Sequence, residues 1–503
     1  MALTTKDFIV VGFKGLDESL AYSPSTSGTT RKLDNVDVRF GVVTGRGGTR
    51  KFDDIATVAP ATITGIWQFP SITGADAELV RMTASTFYKW AGTTFADVTG
   101  DALTGDAVDL PQAVLHDDVF IFTNEGQDRP RKYVVGLNSL VLGGTPPFCK
   151  TLVSYQGLLL LFNVSDDGTT WLQREGRYSD DYDADWTLCD GNSLFFNEFT
   201  SPIIASAVLG RSVYVYSSDG IVRLTKTPTN TRFQQERLAF DKGILAPLSL
   251  QVCGEQGMIF LGTDYELYIC DGNKVVPLPA KVQKKLQSDM LKSSARTCRS
   301  AVQHETETYT LFYPASSGNR RRIDFNWRTG EFVQKTYAGH SFFALTNFKL
   351  NQTVEETLVA CTTTLVYETD INSTTDDGTT ITRYIDTDWQ SFDMLDEKVC
   401  IGATLLFERT SKTRASAEIA WDNRSTFSYK KGFDLRGAAD GDDIIVHYDI
   451  NPGIQATWFN IRVKFYHDLS TARGKLKAVI FHYQPVGKKQ TGVFDTRGAS
   501  LAA

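Results

Sequence analysis

Helical periodicity, paired cysteines and an excess of basic charge are all missing from this sequence, and each absence removes a class of protein. The 503 residues carry 52 Lys and Arg against 59 Asp and Glu, a formal net charge of −7. No diffuse basic surface of the kind that neutralises phosphates is encoded, which sets sequence-specific DNA binding aside. The seven cysteines, at 149, 189, 253, 270, 298, 361 and 400, are odd in number and include no CxxC pair. Reduced, buried thiols are therefore expected in place of disulfides or structural zinc. Six histidines at 116, 304, 340, 447, 467 and 482 show neither HxH nor HExxH spacing, and no GxSxG nucleophile elbow occurs. The N-terminal stretch MALTTKDFIVVGFKG has a short apolar run broken by Gly12, too short for a signal h-region or a membrane span. Neither export nor membrane insertion is expected.

What is present points to an extended β core. Hydrophobic residues make up 42% of the chain, and 31 Phe, 19 Tyr and 8 Trp bring aromatics to 12%, which excludes disorder. The length predicts two or three domains or one large closed repeat. One segment has helical spacing: in PAKVQKKLQSDMLKSS, Val282, Leu286 and Met290 recur every four residues behind a Pro. Elsewhere, runs such as ITGIWQF from Ile63, RSVYVYSS from Arg211 and GMIFLGT from Gly257 are rich in β-branched and aromatic residues and end at turn formers.

Many short strands in a long chain suggest a propeller, whose blades are four-stranded sheets of about 40–50 residues. Tyr88, Tyr133, Tyr178, Arg223 and Tyr268 mark a weak repeat at 45-residue intervals, followed by Phe325 and Tyr367. The fold class read from this is all-β: a β-propeller of about seven blades, with six to eight compatible, over residues 56–375, and one short helix. Trp90 and Cys270, each two residues before a turn glycine, are expected at equivalent inner-strand positions. After Thr374 six further strands over about 100 residues fit a β-sandwich at 376–486. Residues 487–503 read as a flexible tail, and residues 1–55 as an N-terminal interaction arm with a hairpin.

No site residues emerge: no catalytic, cofactor-binding or metal-ligating set is assigned. The Gly-rich basic turn RGGTRK, whose glycines allow positive φ, lacks the strand-loop-helix context of a phosphate loop. Asp180, Asp181, Asp183 and Asp185 alternate like calcium ligands, but Trp186 stands where an EF-hand needs Gly, so a solvated loop is expected. The run Arg320, Arg321 and Arg322 reads as a solvated strand edge that could meet an acidic neighbour. Asp166 to Trp171, DDGTTW, matches the core of the Asp box of sialidase-like propellers, with Val164 in place of the usual Ser.

From DNVDVRFGVVTGRGGTRKF at Asp34 onward, a series of stretches resembles the propeller-type tail nozzle proteins of short-tailed bacteriophages. DDVFIFTNEGQDRPRKY, REGRYSDDYDADWTL, GTDYELYICDGNKVVPLPAKVQKKL and YTLFYPASSGNRRRIDFNWRTGEF follow in the same order, and the match spans residues 34 to about 480. The resemblance implies a non-enzymatic virion tail protein, made in the host cytoplasm, without cofactor. It further implies self-association into a ring, a hexamer, that extends the tail tube for DNA ejection. The implied partners are a tail adaptor, other tail or fibre proteins, and passing DNA in transient non-specific contact. The alternative is a propeller glycosidase or glycan-binding, receptor-binding protein, which would need several Asp boxes and recurrent charged residues at blade starts.

Overall fold

The computed structural model describes residues 5–17, 30, 32–52, 62–69, 77–116, 118–179, 186, 192–227, 233–281, 283–337, 339–349, 356–371, 373–392, 397–408, 413–422, 426–435, 443–467 and 474–486. Seven antiparallel sheets follow one another along the chain. They are opened by the strands Ile63–Phe69, Gln112–His116, Phe148–Tyr155, Ile203–Leu209, Gln251–Val252, Arg299–Gln303 and Ala344–Phe348. Each opening strand packs against that of the next sheet, and the seventh packs back on the first, so the sheets are the blades of a closed propeller.

The seven repeat markers all fall in the third strands of successive blades. These strands are Phe87–Trp90, Arg131–Tyr133, Leu172–Tyr178, Gly220–Lys226, Leu267–Cys270, Arg320–Asn326 and Val366–Ile371. Several third-strand aromatics are bound to their places by the neighbouring blade: Tyr133 packs on Phe69 and Phe87 of blade 1, and Tyr178 on Phe233 of blade 4. The longer interval between Tyr268 and Phe325 has a simple cause. Helix Gln283–Asp289 and the 3-10 turn Lys292–Thr297 are inserted between blades 5 and 6, with Leu286 and Met290 buried; Val282 lies outside the described residues. Tight hairpins use the expected turn chemistry. Between Tyr155 and Leu158, Gln156 and Gly157 both take positive φ, 49° and 79°, the twist that a two-residue connection between antiparallel strands requires. Trp90 and Cys270 do occupy the same place, the end of a third strand, which is hydrogen-bonded on both sides within its blade. Cys270 is fully buried, whereas Trp90 is half-buried against Phe52 and Phe95 at ring separations of 4.7 and 5.1 Å.

Blade 7 is completed by the other end of the chain. Strand Gly48–Lys51 adds antiparallel to Val366–Ile371, pairing Lys51 with Tyr367 and Arg50 with Glu368. The glycines of RGGTRK therefore do not form a positive-φ turn. Gly48 is needed for close approach, since a Cβ there would stand 2.0 Å from the Thr375 carbonyl oxygen.

The sandwich likewise draws on both ends. One sheet orders Val36–Arg39, Val42–Gly45, Lys475–Pro485, Lys398–Glu408 and Asp443–Ala456, with Lys6–Val11 also pairing on Lys475–Pro485. The facing sheet orders Leu33–Asp34, Arg383–Asp386, Phe459–His467, Thr413–Trp421 and Ser428–Asp434. The hairpin read within residues 1–55 is present at 36–45, and its segment is part of the sandwich rather than a free arm. Most of the polar loop at 21–35 and all of the 487–503 tail lie outside the described residues. The same N-terminal segment runs along blade 6. Leu16 N–H donates to Phe332 O at 2.7 Å and Asn35 N–H to Gln334 O at 3.2 Å. One continuous apolar cluster accordingly joins sandwich residues such as Val36, Leu405 and Phe465 to Leu261, Leu311 and Phe325 of blades 5 and 6.

Candidate functional site: an interdomain cleft and an axial channel

A cleft of about 810 Å³ opens where blades 6 and 7 meet the sandwich, lined among others by Asp37, Arg39, Arg50, Arg322, Lys335 and Asp370. Strand alternation in Arg320–Asn326 and Glu331–Lys335 turns Arg322, Asp324 and Lys335 to one side, where they meet Asp370 from blade 7 and Asp37 from the sandwich. Lys335 Nζ lies 2.7 Å from Asp37, 3.0 Å from Asp324 and 3.1 Å from Asp370. Arg322 reaches Asp324 at 2.5 Å and Asp370 at 2.6 Å, and donates to the Tyr337 hydroxyl at 2.7 Å. Burial pushes both Asp324 and Asp370 toward the neutral form, but Arg322 and Lys335 outweigh it and hold both carboxyls below their usual range. Burial and the adjacent Arg322 work against the charge on Lys335, and its three carboxylates raise it nonetheless. These groups stay ionised across neutral pH, so they form a fixed clamp with no base poised to take a proton.

A second buried clamp sits beside it. Arg46 is fully buried and grips both oxygens of Asp376 at 2.9 and 2.6 Å, with Nε on Asn35 Oδ1 at 2.7 Å and Nη2 on Thr336 O at 2.6 Å. Its partners come from the N-terminal segment, the end of blade 6 and the strand after blade 7, so one guanidinium ties three parts of the chain. Asp34, next to it, has its pKa raised to about 6 by burial, against the lowering effect of the Thr336 hydroxyl.

The arginine run is corrected by this geometry. Arg320 and Arg322 are buried within a strand, not on a solvated edge, and Arg321 pairs with Asp289 at 3.0 Å. The Asp-box resemblance is also reassigned. Asp167, rather than Asp166, organises the turn, accepting from the amides of Thr169 and Thr170 at 2.8 and 2.7 Å and from the Thr170 hydroxyl. Those bonds pull its pKa below the usual carboxylate range. Asp166 instead pairs with Arg177 at 2.5 Å. The Asp180 to Asp185 cluster and Cys189 lie outside the described residues. The six described cysteines are buried and free, and burial pushes the thiols of Cys149, Cys253, Cys298, Cys361 and Cys400 up to about 12, the opposite of an activated nucleophile.

One constellation was invisible in the sequence. Strand pairing places Asp7 opposite His482, and His482 beside the strand carrying Thr404. His482 Nε2 lies 2.7 Å from Thr404 Oγ1 and its Nδ1 2.7 Å from Asp7, while His447 Nδ1 lies 3.1 Å from the same hydroxyl. The bonding order resembles that of a nucleophile triad, yet a second imidazole already engages the hydroxyl. The group lies on a sheet face beside exposed Ile9 and Ile445, where an oxyanion would be open to solvent.

The propeller axis holds a cavity of about 450 Å³ lined by the opening strands of all seven blades. On the outside, apolar side chains crowd the outer strands of blades 2 to 4. Val135, Leu137, Leu140 and Val141 of blade 2 are exposed, as are Phe195 of blade 3 and Phe240 of blade 4. Among the described residues no group of three or more His, Cys, Asp or Glu side chains is placed to hold a metal ion, and no helix is long and apolar enough to cross a membrane.

No protein-family model and no curated protein matches the chain. Among solved structures it is similar to the Neurospora crassa Pan2 WD40 domain at 10% identity, over 65% of this chain and 95% of that one, with a TM-score of 0.40. It is also similar to U3-55K at 10% identity, over 65% and 100%, with a TM-score of 0.41. The Toxoplasma gondii coronin WD40 domain follows at 8%, over 68% and 87%, with a TM-score of 0.37. At these values the likeness says nothing of activity or partners.

Proposed function

We propose that this chain is a structural virion protein, a tail nozzle subunit that assembles head to tail with copies of itself into a ring through which DNA leaves the particle. The observation that carries the reading is the placement of two unlike surfaces on opposite sides of one closed body. In a ring of seven blades, blade 6, which bears the sandwich, lies across from blades 2 and 3. There the exposed side chains Val135, Leu137, Leu140 and Val141 lie, and the sandwich offers exposed Ile9 and Ile445 on one sheet and Tyr429 and Tyr466 on the other. Contact between two different surfaces of one subunit is heterologous, and such contacts close into a ring when the rotation permits. The ordered series of strand-turn stretches between Asp34 and about residue 480 supports the family assignment.

In this reading the function is passage and load bearing, not chemistry. The chain closure at blade 7 and the Arg46 and Lys335 clamps bind propeller and sandwich into one unit suited to load. A cavity of about 450 Å³ within a propeller is no conduit for a duplex, so DNA passes along the ring axis. A lumen poor in Lys and Arg keeps few phosphates neutralised and lets DNA slide. The net charge of −7 is compatible with such a lumen.

Mass measurement of the purified chain, alone and mixed with a tail adaptor, tests the reading. A closed oligomer that Leu137→Glu or Ile445→Lys disperses into folded monomers is expected. A chain that stays monomeric with the adaptor, or turnover of a glycan abolished by a single carboxylate substitution, contradicts it.

A further inference from the structure

Arg299 opens the first strand of blade 6 and lines the axial channel. It is 8% exposed, and its Nη1 donates to the Thr64 carbonyl of blade 1 at 2.5 Å. No carboxylate among the described residues pairs with it. Glu125, the acid whose field reaches it, is already engaged by Arg296 and by the Leu110 amide at 3.0 Å. Arg320, buried nearby, donates to Thr297 O and Oγ1 at 2.9 and 2.7 Å and likewise has no carboxylate. Burial, and then repulsion from Arg320, bring the Arg299 pKa down to about 9, so it is still charged at neutral pH. An uncompensated cation in a low-dielectric site is costly, and an anion delivered from outside removes that cost.

The space beside it is shaped for more than a bare ion. A second cavity of about 340 Å³ shares Gln112 and Pro247 with the 450 Å³ one and carries Lys150, Asn163 and the paired Glu125 and Arg296. The walls offer neutral hydrogen-bonding groups, with Gln112, Ser206, Gln251 and Asn347 on four different blades. The Thr151 hydroxyl orients the Gln112 amide at 2.6 Å, and Gln251 is held by the Ser300 carbonyl at 3.0 Å. In the second cavity, Asn163 is 4% exposed with its Oδ1 unpartnered, while its Nδ2 donates to Ile203 O. A concave site with a few convergent polar groups and one unmatched charge is what recognises a small polar ligand.

We propose that the propeller channel binds a small carboxylate-bearing polyol of sugar-acid size. Its carboxylate lies on Arg299, and its hydroxyls lie on Gln112, Ser206, Gln251 and Asn347. This rests on the channel alone and is independent of ring assembly, so it is read equally on a monomer.

Titration calorimetry of the full chain at pH 7 with glucuronate, glucose and inorganic phosphate tests it. Saturable 1:1 binding of glucuronate is expected, with glucose and phosphate each at least tenfold weaker. Arg299→Gln should weaken glucuronate at least tenfold with the melting temperature within a few degrees. Should that variant fail to fold, Gln112→Ala is expected to lose affinity severalfold. The proposal is overturned if glucuronate binds no better than glucose, if phosphate binds as well as glucuronate, or if the folded variants bind like the parent.

Discussion

Replacing Arg46 by Met strips the buried junction of its guanidinium while keeping most of its apolar volume. Five hydrogen bonds disappear, two of them to Asp376, and the fully buried Asp376 carboxylate loses the guanidinium that grips both its oxygens. Breaking a buried pair from one side costs about 3–5 kcal/mol, because the remaining buried charge loses much of its compensation. With a urea slope of about 3 kcal/mol/M or more for a chain this long, the unfolding midpoint should fall by roughly 1 M. The bonds join the N-terminal segment, blade 6 and the strand after blade 7, so tryptophan fluorescence and far-UV dichroism should also separate into two transitions as propeller and sandwich uncouple. The double variant Arg46→Met/Asp376→Leu removes the under-compensated buried charge and should recover part of the loss. A single-variant loss below about 1 kcal/mol, or a double variant no better than the sum of the single ones, refutes the clamp.

Three further outcomes are expected. Gly48→Val places a side chain against the Thr375 carbonyl, so blade 7 should open and limited proteolysis should cut near residues 46–52 under conditions where the parent resists. Asp34 has a folded pKa raised to about 6 above its ordinary 3.8, so its contribution is fully present below pH 3.8 and lost as pH rises through 6. Asp34→Asn should stabilise the protein at pH 7.5, on the order of 1–3 kcal/mol, with no gain at pH 3.5. The buried thiols, raised to about 12, should resist a disulfide reagent in the native state, and stability should fall between pH 9 and 12 as the unfolded chain's thiols ionise. Rapid native labelling of Cys149 or Cys361 would contradict this.

The propeller was legible because each blade repeats one local pattern, and third-strand positions such as Tyr133 and Tyr268 need an aromatic to fill the gap to the neighbouring blade. The inserted helix was legible for the same local reason, in the spacing of Leu286 and Met290. What the sequence could not show is pairing across hundreds of residues. Gly48–Lys51 reads as a basic turn because nothing local reveals Val366–Ile371 as its partner. Arg322 reads as solvated because Asp370 lies 48 residues away. The Asp box misled by one position, since Asp166 and Asp167 are adjacent and only hydrogen-bond geometry tells them apart. Thr404, His482 and Asp7 likewise meet only through strand register.

Electron cryomicroscopy of adaptor-bound complexes or intact particles tests the ring most directly. The account predicts rotational symmetry about a central passage, with the sandwich of one subunit seated on blades 2 to 4 of the next and a passage wall poor in Lys and Arg. A monomer placed away from the tail axis, or a passage lined mainly by basic side chains, would contradict it.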